Sequence, residues 1–349
     1  MMKMIKRLTA LFLALLLLLP GLSLAEDDLE VEEYSETEAE STAGTVTEKD
    51  GWHFDEKGFL TGDNPGEEYL LEDEENGIWQ YASKDLSVKI TRVTEKYTKK
   101  KNLEYCVAEI WASENEQMQA ILSAPVGKLP EGAKQVSPEL LVQNHPCIFA
   151  MSDDMYGQRQ YNIINKKSSR QPGIIIRNGV VRWDKTKSST SKKARQRPCL
   201  DTLAVYSDGS MKTYITDEMT AEEYLAKGAI QTFSFGPWLI SEGKINEKEA
   251  VEGCGYYEQM EPLTGLGMIE PFHYIAIVVR AWPKGKYTGV KLSWLADKML
   301  ELGCVEALNL DGGGTACMFF NGKAIVHGRD NLRSMGGMIA FGLKVAPAE

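Results

Sequence analysis

The run Glu306-Ala307-Leu308-Asn309-Leu310-Asp311-Gly312-Gly313-Gly314-Thr315 constrains this chain more than any other stretch. An apolar segment fit for a buried strand ends in one carboxylate, three consecutive glycines and a hydroxyl. Glycine loses more conformational entropy on folding than any other residue, and three in succession expose several N–H donors that no side chain shields. Ordering such a loop is costly unless something must approach the backbone closely, and a sugar or phosphate oxygen suits it. The plain alternative is a β-turn between two strands, since Asp-Gly is a common hairpin signal.

The amino terminus reads as an export signal. Residues 1–25 combine a basic start (Lys3, Lys6, Arg7), an apolar core from Leu8 to Leu19 and Ser23-Leu24-Ala25 as a small-x-small cleavage site. The apolar run falls short of the ~20 residues that span a bilayer, and no second long one follows. The expectation is a secreted or extracytoplasmic protein with no membrane span after leader removal; retention by an uncleaved leader is the alternative. Residues 26–50 form an acidic Glu/Ser/Thr spacer too polar to bury a core. The formal charge is -11 and becomes more negative without the leader, which argues against nucleic acid as a partner. Six cysteines (Cys106, Cys147, Cys199, Cys254, Cys304, Cys317) permit disulfides in an exported chain. Cys106 and Cys147, however, lie in strand-like apolar runs where a buried thiol fits equally well. No CxxC pair occurs and the four histidines are scattered, so no metal site and no cofactor are expected.

Residues 51–79 read as a β-rich lead-in and residues 80–346 as the single main domain. Leu86 to Val93 alternates apolar and polar side chains with period two, the pattern of a half-buried strand. Tyr105 to Ala112 and Met118 to Ser123 are further strands. Ser137-Pro138-Glu139 supplies an N-cap, a proline at the first helical position and an acid in the first turn, predicting a short helix to about Gln143. Asn178-Gly179 predicts a hairpin between Ile174–Arg177 and Val180–Trp183. A second hairpin is expected around Ser207-Asp208-Gly209-Ser210, and basic residues 185–197 between the two as a surface loop. Thr220-Ala221-Glu222-Glu223 is a capping box whose helix should stop near Gly228. Phe233 to Ile240 reads as a strand running into a turn at Glu242-Gly243-Lys244. Tyr274 to Arg280 is apolar enough for a central strand, Leu292 to Leu302 has helical spacing ended by Gly303, and Gly337 to Val345 is a closing strand. Many strands with few helices predict an α+β fold, a mixed β-sheet flanked by a few helices.

With the helix before it and Cys317-Met318-Phe319-Phe320-Asn321-Gly322-Lys323 after it, the glycine stretch resembles the signature of the phosphodiester glycosidase domain family. That family includes N-acetylglucosamine-1-phosphodiester α-N-acetylglucosaminidase-like enzymes and bacterial exopolysaccharide-related proteins. The resemblance extends, with weaker motifs, over residues 80–346. An early family segment, Ala-Ile-Asn-Gly-Asp-Tyr-Tyr-Gly, matches Ala150-Met151-Ser152-Asp153-Asp154-Met155-Tyr156-Gly157. Asp154, Tyr156 and Gly157 fit it, while Ser152 stands where asparagine is usual and Asp153 where glycine is. A proline-arginine-threonine-alanine stretch entering the central strand is sought at Glu270-Pro271-Phe272-His273-Tyr274-Ile275-Ala276, which puts His273 nearest the arginine. Histidine lacks the planar fork that binds phosphate with two parallel bonds.

The resemblance implies a site with Asp311, Asp154 and His273 as the catalytic groups, Asp154 pairing with Asp311. Ser152, Tyr156, Gly236, Gly312, Gly313, Gly314 and Thr315 would bind substrate, with Pro237 shaping a wall. Cleaving a glycosyl phosphodiester passes through an oxocarbenium-like state with a good leaving group, so a carboxylate near the anomeric carbon or activating water matters more than a strong acid. The implied activity is hydrolysis of a carbohydrate or sugar phosphodiester of the envelope or an exopolysaccharide. The alternatives are an inactive glycan-binding protein on the same fold and a purely structural module; the latter leaves Gly312 to Thr315 unexplained.

Overall fold

Three β-sheets meet around one apolar core in the computed structural model, which describes residues 47–123, 135–154, 173–185, 200–247, 260–281, 288–328 and 332–344. The leader, most of the acidic spacer, Tyr156 with Gly157, the basic loop beyond Lys185, Cys199 and Cys254 lie outside these residues. One compact unit runs over Gly44–Glu349.

A small hairpin, β1 (Thr47–Lys49) and β2 (Trp52–Phe54), leads into β3 (Tyr69–Asp73), β4 (Ile78–Ala82), β5 (Leu86–Lys96) and β6 (Asn102–Ala112), and then β7 (Gln119–Leu122). Helix α1 (Pro138–Asn144) starts where the sequence puts it, with the Ser137 hydroxyl accepting from the Leu140 N–H. Then come β8 (Cys147–Ser152), β9 (Gly173–Arg177), β10 (Val180–Lys185), β11 (Asp201–Tyr206) and β12 (Met211–Tyr214). The turn joining β9 to β10 has φ of 51° at Asn178 and 74° at Gly179, the two left-handed positions a tight hairpin requires. Helix α2 (Ala221–Ala226) opens with both hydrogen bonds of its Thr220–Glu223 capping box. The remainder is β13 (Ala229–Phe235), β14 (Trp238–Ser241), β15 (Lys244–Ile245), β16 (Thr264–Glu270), β17 (His273–Arg280), α3 (Leu292–Glu301), β18 (Glu306–Leu310), β19 (Cys317–Phe320), β20 (Lys323–His327) and β21 (Gly337–Leu343).

The large sheet has nine strands in the order β15-β14-β18-β16-β17-β6-β5-β4-β3, and two five-stranded sheets run β10-β9-β13-β11-β12 and β20-β19-β8-β21-β7. The fold is β-rich, with three α-helices among the described residues. A mixed sheet was expected, yet every strand pairing among the described residues is antiparallel. Helix α3 does carry the chain from β17 to β18, but β16 lies between them and pairs with both, so neither meets a parallel neighbour. Phe233 to Ile240 also departs from expectation. It is two strands in different sheets, broken at Gly236-Pro237, whose peptide bond is cis. The boundary drawn at residue 79 falls inside β4, so the lead-in contributes strands to the large sheet.

The near-continuous apolar run of β17 follows from its central place. Tyr274, Ala276 and Val278 face a core shared with Leu203, Val205 and Phe233 of the second sheet and with Met318, Phe320, Ile339 and Phe341 of the third. Ile275, Ile277 and Val279 face the other side, under Leu292, Leu295, Ala296 and Met299 of α3. A strand buried on both faces has no polar positions to alternate. Each of the larger aliphatic side chains so buried contributes about 1.5–3 kcal/mol by removal from water. Cys106, Cys147, Cys304 and Cys317 are free and buried, and burial pushes Cys106, Cys147 and Cys304 up to about 12.

Candidate active site

The ends of three sheets converge at Asp311. Strand β18 finishes at Leu310, and the next N–H, that of Asp311, donates to the Asp153 carbonyl at 3.0 Å. This bond ties the large sheet to the chain leaving β8. Asp153, Asp154 and Asp311 are all buried, at 3%, 0% and 5% exposure.

Arg177, the last residue of β9, reaches this group from the second sheet and is itself completely buried. Its Nη2 lies 2.6 Å from Asp154 Oδ1 and 3.5 Å from Asp153 Oδ2. Its Nη1 donates to the carbonyls of Ile176 and Thr232, at 3.1 and 2.5 Å, and the guanidinium stands 4.7 Å over the Phe233 ring. The second oxygen of Asp154 accepts from the Ser234 N–H at 2.9 Å. Asp154 is thus held on both oxygens, by a cation and by a main-chain donor of β13.

Asp153 is treated differently. Its Oδ2 is buried without a hydrogen bond, and a Cβ at residue 337 would stand 2.9 Å from it, so Gly337 makes room for the carboxyl. Burial, and then the charge of Asp154, push the Asp153 carboxyl well above the usual carboxylate range; Arg177 opposes the shift and Asp311 adds to it.

Around this group the glycine loop is built tightly. A Cβ on Gly312 would lie 2.3 Å from the Pro262 carbonyl oxygen, so only glycine fits. Gly313 has φ of 65° and open space on its Cβ side, and its N–H donates to Pro262 at 2.8 Å. The Thr315 N–H and hydroxyl both return to the Gly312 carbonyl, at 3.3 and 2.8 Å. The N–H groups of Gly312 and Gly314 have no partner among the described residues. Ser152, 1% exposed, lies 3.4 Å from the Thr264 hydroxyl and accepts from the Cys317 N–H at 3.4 Å. Gly236 packs beside β18, where its N–H donates to the Asn309 carbonyl at 3.1 Å and its carbonyl accepts from Asn309 Nδ2 at 2.9 Å.

Ser152, Asp154, Gly236, Asp311, Gly312, Gly313, Gly314 and Thr315 therefore come together, and Tyr156 lies outside the described residues. His273 does not join them. Thr264, beside the glycine loop, pairs with Val278, and five residues along an extended strand put His273 about 17 Å away. Its ring stacks on Trp111 with centroids 3.6 Å apart and bonds Glu109 at 3.0 Å. The expected pairing of Asp154 with Asp311 needs a similar correction: Asp154 is engaged by Arg177 and Ser234, and Asp153 is the residue whose backbone Asp311 touches.

Pro262-Leu263-Thr264-Gly265 also has the proline-x-threonine order of the family stretch and enters β16 directly beside the glycines, Thr264 pairing with Leu310. Two arginines join this region without a motif to announce them. Arg177 was marked only by being a charge at the end of an otherwise apolar strand. Arg333 is exposed; its N–H donates to the Gly314 carbonyl at 2.7 Å and its Nη2 lies 3.5 Å from where a Gly314 Cβ would stand. No group of three or more His, Cys, Asp or Glu side chains suited to holding a metal ion occurs among the described residues.

Residues 145–341, more than half of the chain, match the phosphodiester glycosidase family. An uncharacterized protein derived from the SPbeta prophage of Bacillus subtilis (strain 168), YomE, is 28% identical over 120 residues, which is 34% of this chain and 18% of that relative's length. Among solved structures, the catalytic domain of zebrafish N-acetylglucosamine-1-phosphodiester alpha-N-acetylglucosaminidase, auto-inhibited by its pro-peptide, superposes with a TM-score of 0.52 at 14% identity. The match covers 80% of this chain and 90% of that one. A hypothetical protein from Synechocystis gives a TM-score of 0.45 at 13% identity over 75% of this chain and 63% of that one.

Proposed function

Because this chain belongs to the phosphodiester glycosidase family, we propose that it is an exported hydrolase that cleaves the bond between a sugar and phosphate in a carbohydrate phosphodiester. The observation that carries the reading is the Asp311 carboxylate at the mouth of a glycine loop that leaves the Gly312 and Gly314 N–H groups without partners among the described residues. Two N–H groups that no side chain shields suit a phosphate or sugar oxygen. Arg333 beside Gly314 supplies positive charge at the rim. Asp311 takes a proton from water as the water oxygen bonds to the anomeric carbon, and the bond to the phosphate oxygen breaks with its electron pair leaving on phosphate.

The leader-like start, with Lys3, Lys6, Arg7 and Ser23-Leu24-Ala25, supports export, and among the described residues no helix is long and apolar enough to cross a membrane. N-acetylglucosamine, named in the zebrafish protein, is the first sugar to test, followed by glucose and mannose. Purified protein should release an activated phosphate ester from at least one sugar 1-phosphodiester. Failure on all of them, with retained binding, would favour the second reading, a glycan-binding protein that has lost turnover. Leu263 between Pro262 and Thr264, where the family stretch carries arginine, and Ser152, where asparagine is usual, favour it.

A further inference from the structure

We infer that Arg333 binds the phosphate of the substrate, closing its guanidinium over oxygens that the Gly312 and Gly314 N–H groups hold from the loop, and so selects a charged diester over a neutral glycoside. The inference rests on the phosphodiester reading above and names the residue that sets its substrate class.

The three glycines of the loop have three different reasons. A Cβ on Gly312 would strike the Pro262 carbonyl, and Gly313 needs its φ of 65°. Gly314 has neither constraint, because its φ lies outside the left-handed region and no backbone crowds it. What lies beside it is one side chain. The Cβ, Nε and Nη2 atoms of Arg333 stand 3.7, 3.7 and 3.5 Å from where a Gly314 Cβ would be. The side chain is folded back along the loop, and the Arg333 N–H, bonded to the Gly314 carbonyl at 2.7 Å, fixes its root there. A methyl at 314 would just touch the guanidinium, and a larger side chain would lift it off.

No ion pair or hydrogen bond of the guanidinium among the described residues holds it in that position, and Arg333 is exposed. Arg177, the other arginine of this junction, is completely buried and committed to Asp154 and two carbonyls. Leu263, beside the glycines, is 3% exposed and shares the core under α3, so it offers no charge. Arg333 is thus a cation in contact with solvent, with five N–H donors, at a loop with two unpaired N–H groups. A Cβ position lies ~2.5 Å from its own nitrogen, which puts Nη2 within about 6 Å of the Gly314 nitrogen. Two oxygens of one phosphate span that interval with hydrogen bonds of ~2.9 Å.

The test uses two inert probes for each of N-acetylglucosamine, glucose and mannose. One is a methyl phosphonate ester linked through carbon to C1, with a single negative charge; the other is the methyl C-glycoside, with none. Titration calorimetry on the full-length protein reads both. Wild type should bind at least one phosphonate, more weakly as salt rises. Arg333→Gln should weaken that binding roughly 10- to 100-fold and flatten its salt dependence, while the C-glycoside of the same sugar binds as it does to wild type. Arg333→Lys keeps the charge without the planar fork and should fall between the two. Thermal unfolding of Arg333→Gln should match wild type, since the side chain has no protein partner to lose. Equal weakening of both probes, or of neither, overturns the inference; where the C-glycoside binds too weakly to measure, a salt dependence that Arg333→Gln leaves unchanged does so. Either result leaves the phosphodiester reading standing if wild type turns over a sugar 1-phosphodiester. Failure of wild type to bind any of the three phosphonates, with no turnover of any diester, overturns inference and reading together.

Discussion

Arg177 and Asp154 form an ion pair of 2.6 Å in which neither side chain has any exposed surface. The pair links the end of β9 to the chain leaving β8, and the Ser234 N–H on Asp154 adds β13 to the same junction. It anchors the segment that carries Asp153, whose carbonyl in turn holds the Asp311 N–H, so its integrity bears on both folding and the site. Removing one partner of a buried pair leaves an uncompensated charge. Arg177→Met should therefore cost about 3–5 kcal/mol in denaturant unfolding, whereas Arg177→Met with Asp154→Leu should recover most of that loss. A single variant within ~1 kcal/mol of wild type would show that the junction does not depend on the pair.

Asp153 should make stability depend on pH in a direction opposite to that of a salt-bridged carboxylate. Its folded pKa is raised, so above the unfolded value of ~3.9 the native state keeps a proton that the unfolded chain has lost. Stability then falls as pH rises through the window between the two values, by up to ~1.4 kcal/mol per unit. Asp153→Asn should match wild type in acid and gain on it steadily toward neutral pH. Chemical denaturation at several pH values checks this; an advantage that shrinks with rising pH would contradict it.

Asp311→Asn should lower turnover of a sugar 1-phosphodiester by at least ~100-fold, the low end for a positioned base, while leaving the glycine loop in place. Unchanged turnover in that variant would move the chemistry elsewhere.

His273→Ala should leave kcat and KM unchanged, because the ring stacks on Trp111 and bonds Glu109 at the far end of β17. The stability loss should stay near ~1 kcal/mol, as the Glu109 side chain is 45% exposed and water screens the interaction. A large fall in kcat would return His273 to the site.

Gly312→Ala and Gly313→Ala separate close packing from backbone strain. The first forces a Cβ to within 2.3 Å of the Pro262 carbonyl and should destabilise by about 1–3 kcal/mol. The second meets open space but at a φ of 65°, a strain of about 1 kcal/mol, so its stability loss should be smaller. Thermal unfolding of both variants decides, and equal losses would mean that the close approach to Pro262 is not what requires glycine at 312.

Much of the fold was legible because its signals are local. The Ser137 cap, the Asn178-Gly179 hairpin, the Thr220–Glu223 capping box and the helical spacing of Leu292, Leu295, Ala296 and Met299 each act within a few residues, and each appears where the sequence puts it. The antiparallel pairing throughout, and the change of sheet at Gly236-Pro237, depended on which strand lies between which, and no local period records that.

The family resemblance, the glycine loop and Asp311 at its mouth could be read directly from the chain, because these residues are contiguous and their chemistry is readable as a string. Which carboxylate is held by short bonds, and which is not, follows from contacts between distant segments. Asp154 meets Arg177 and Ser234 across 23 and 80 positions of chain, and Thr264 rather than His273 comes to lie beside Leu310. Adjacent aspartates look alike in a sequence; burial and the reach of one guanidinium give Asp154 a structural partner and leave Asp153 with a carboxyl that favours its proton.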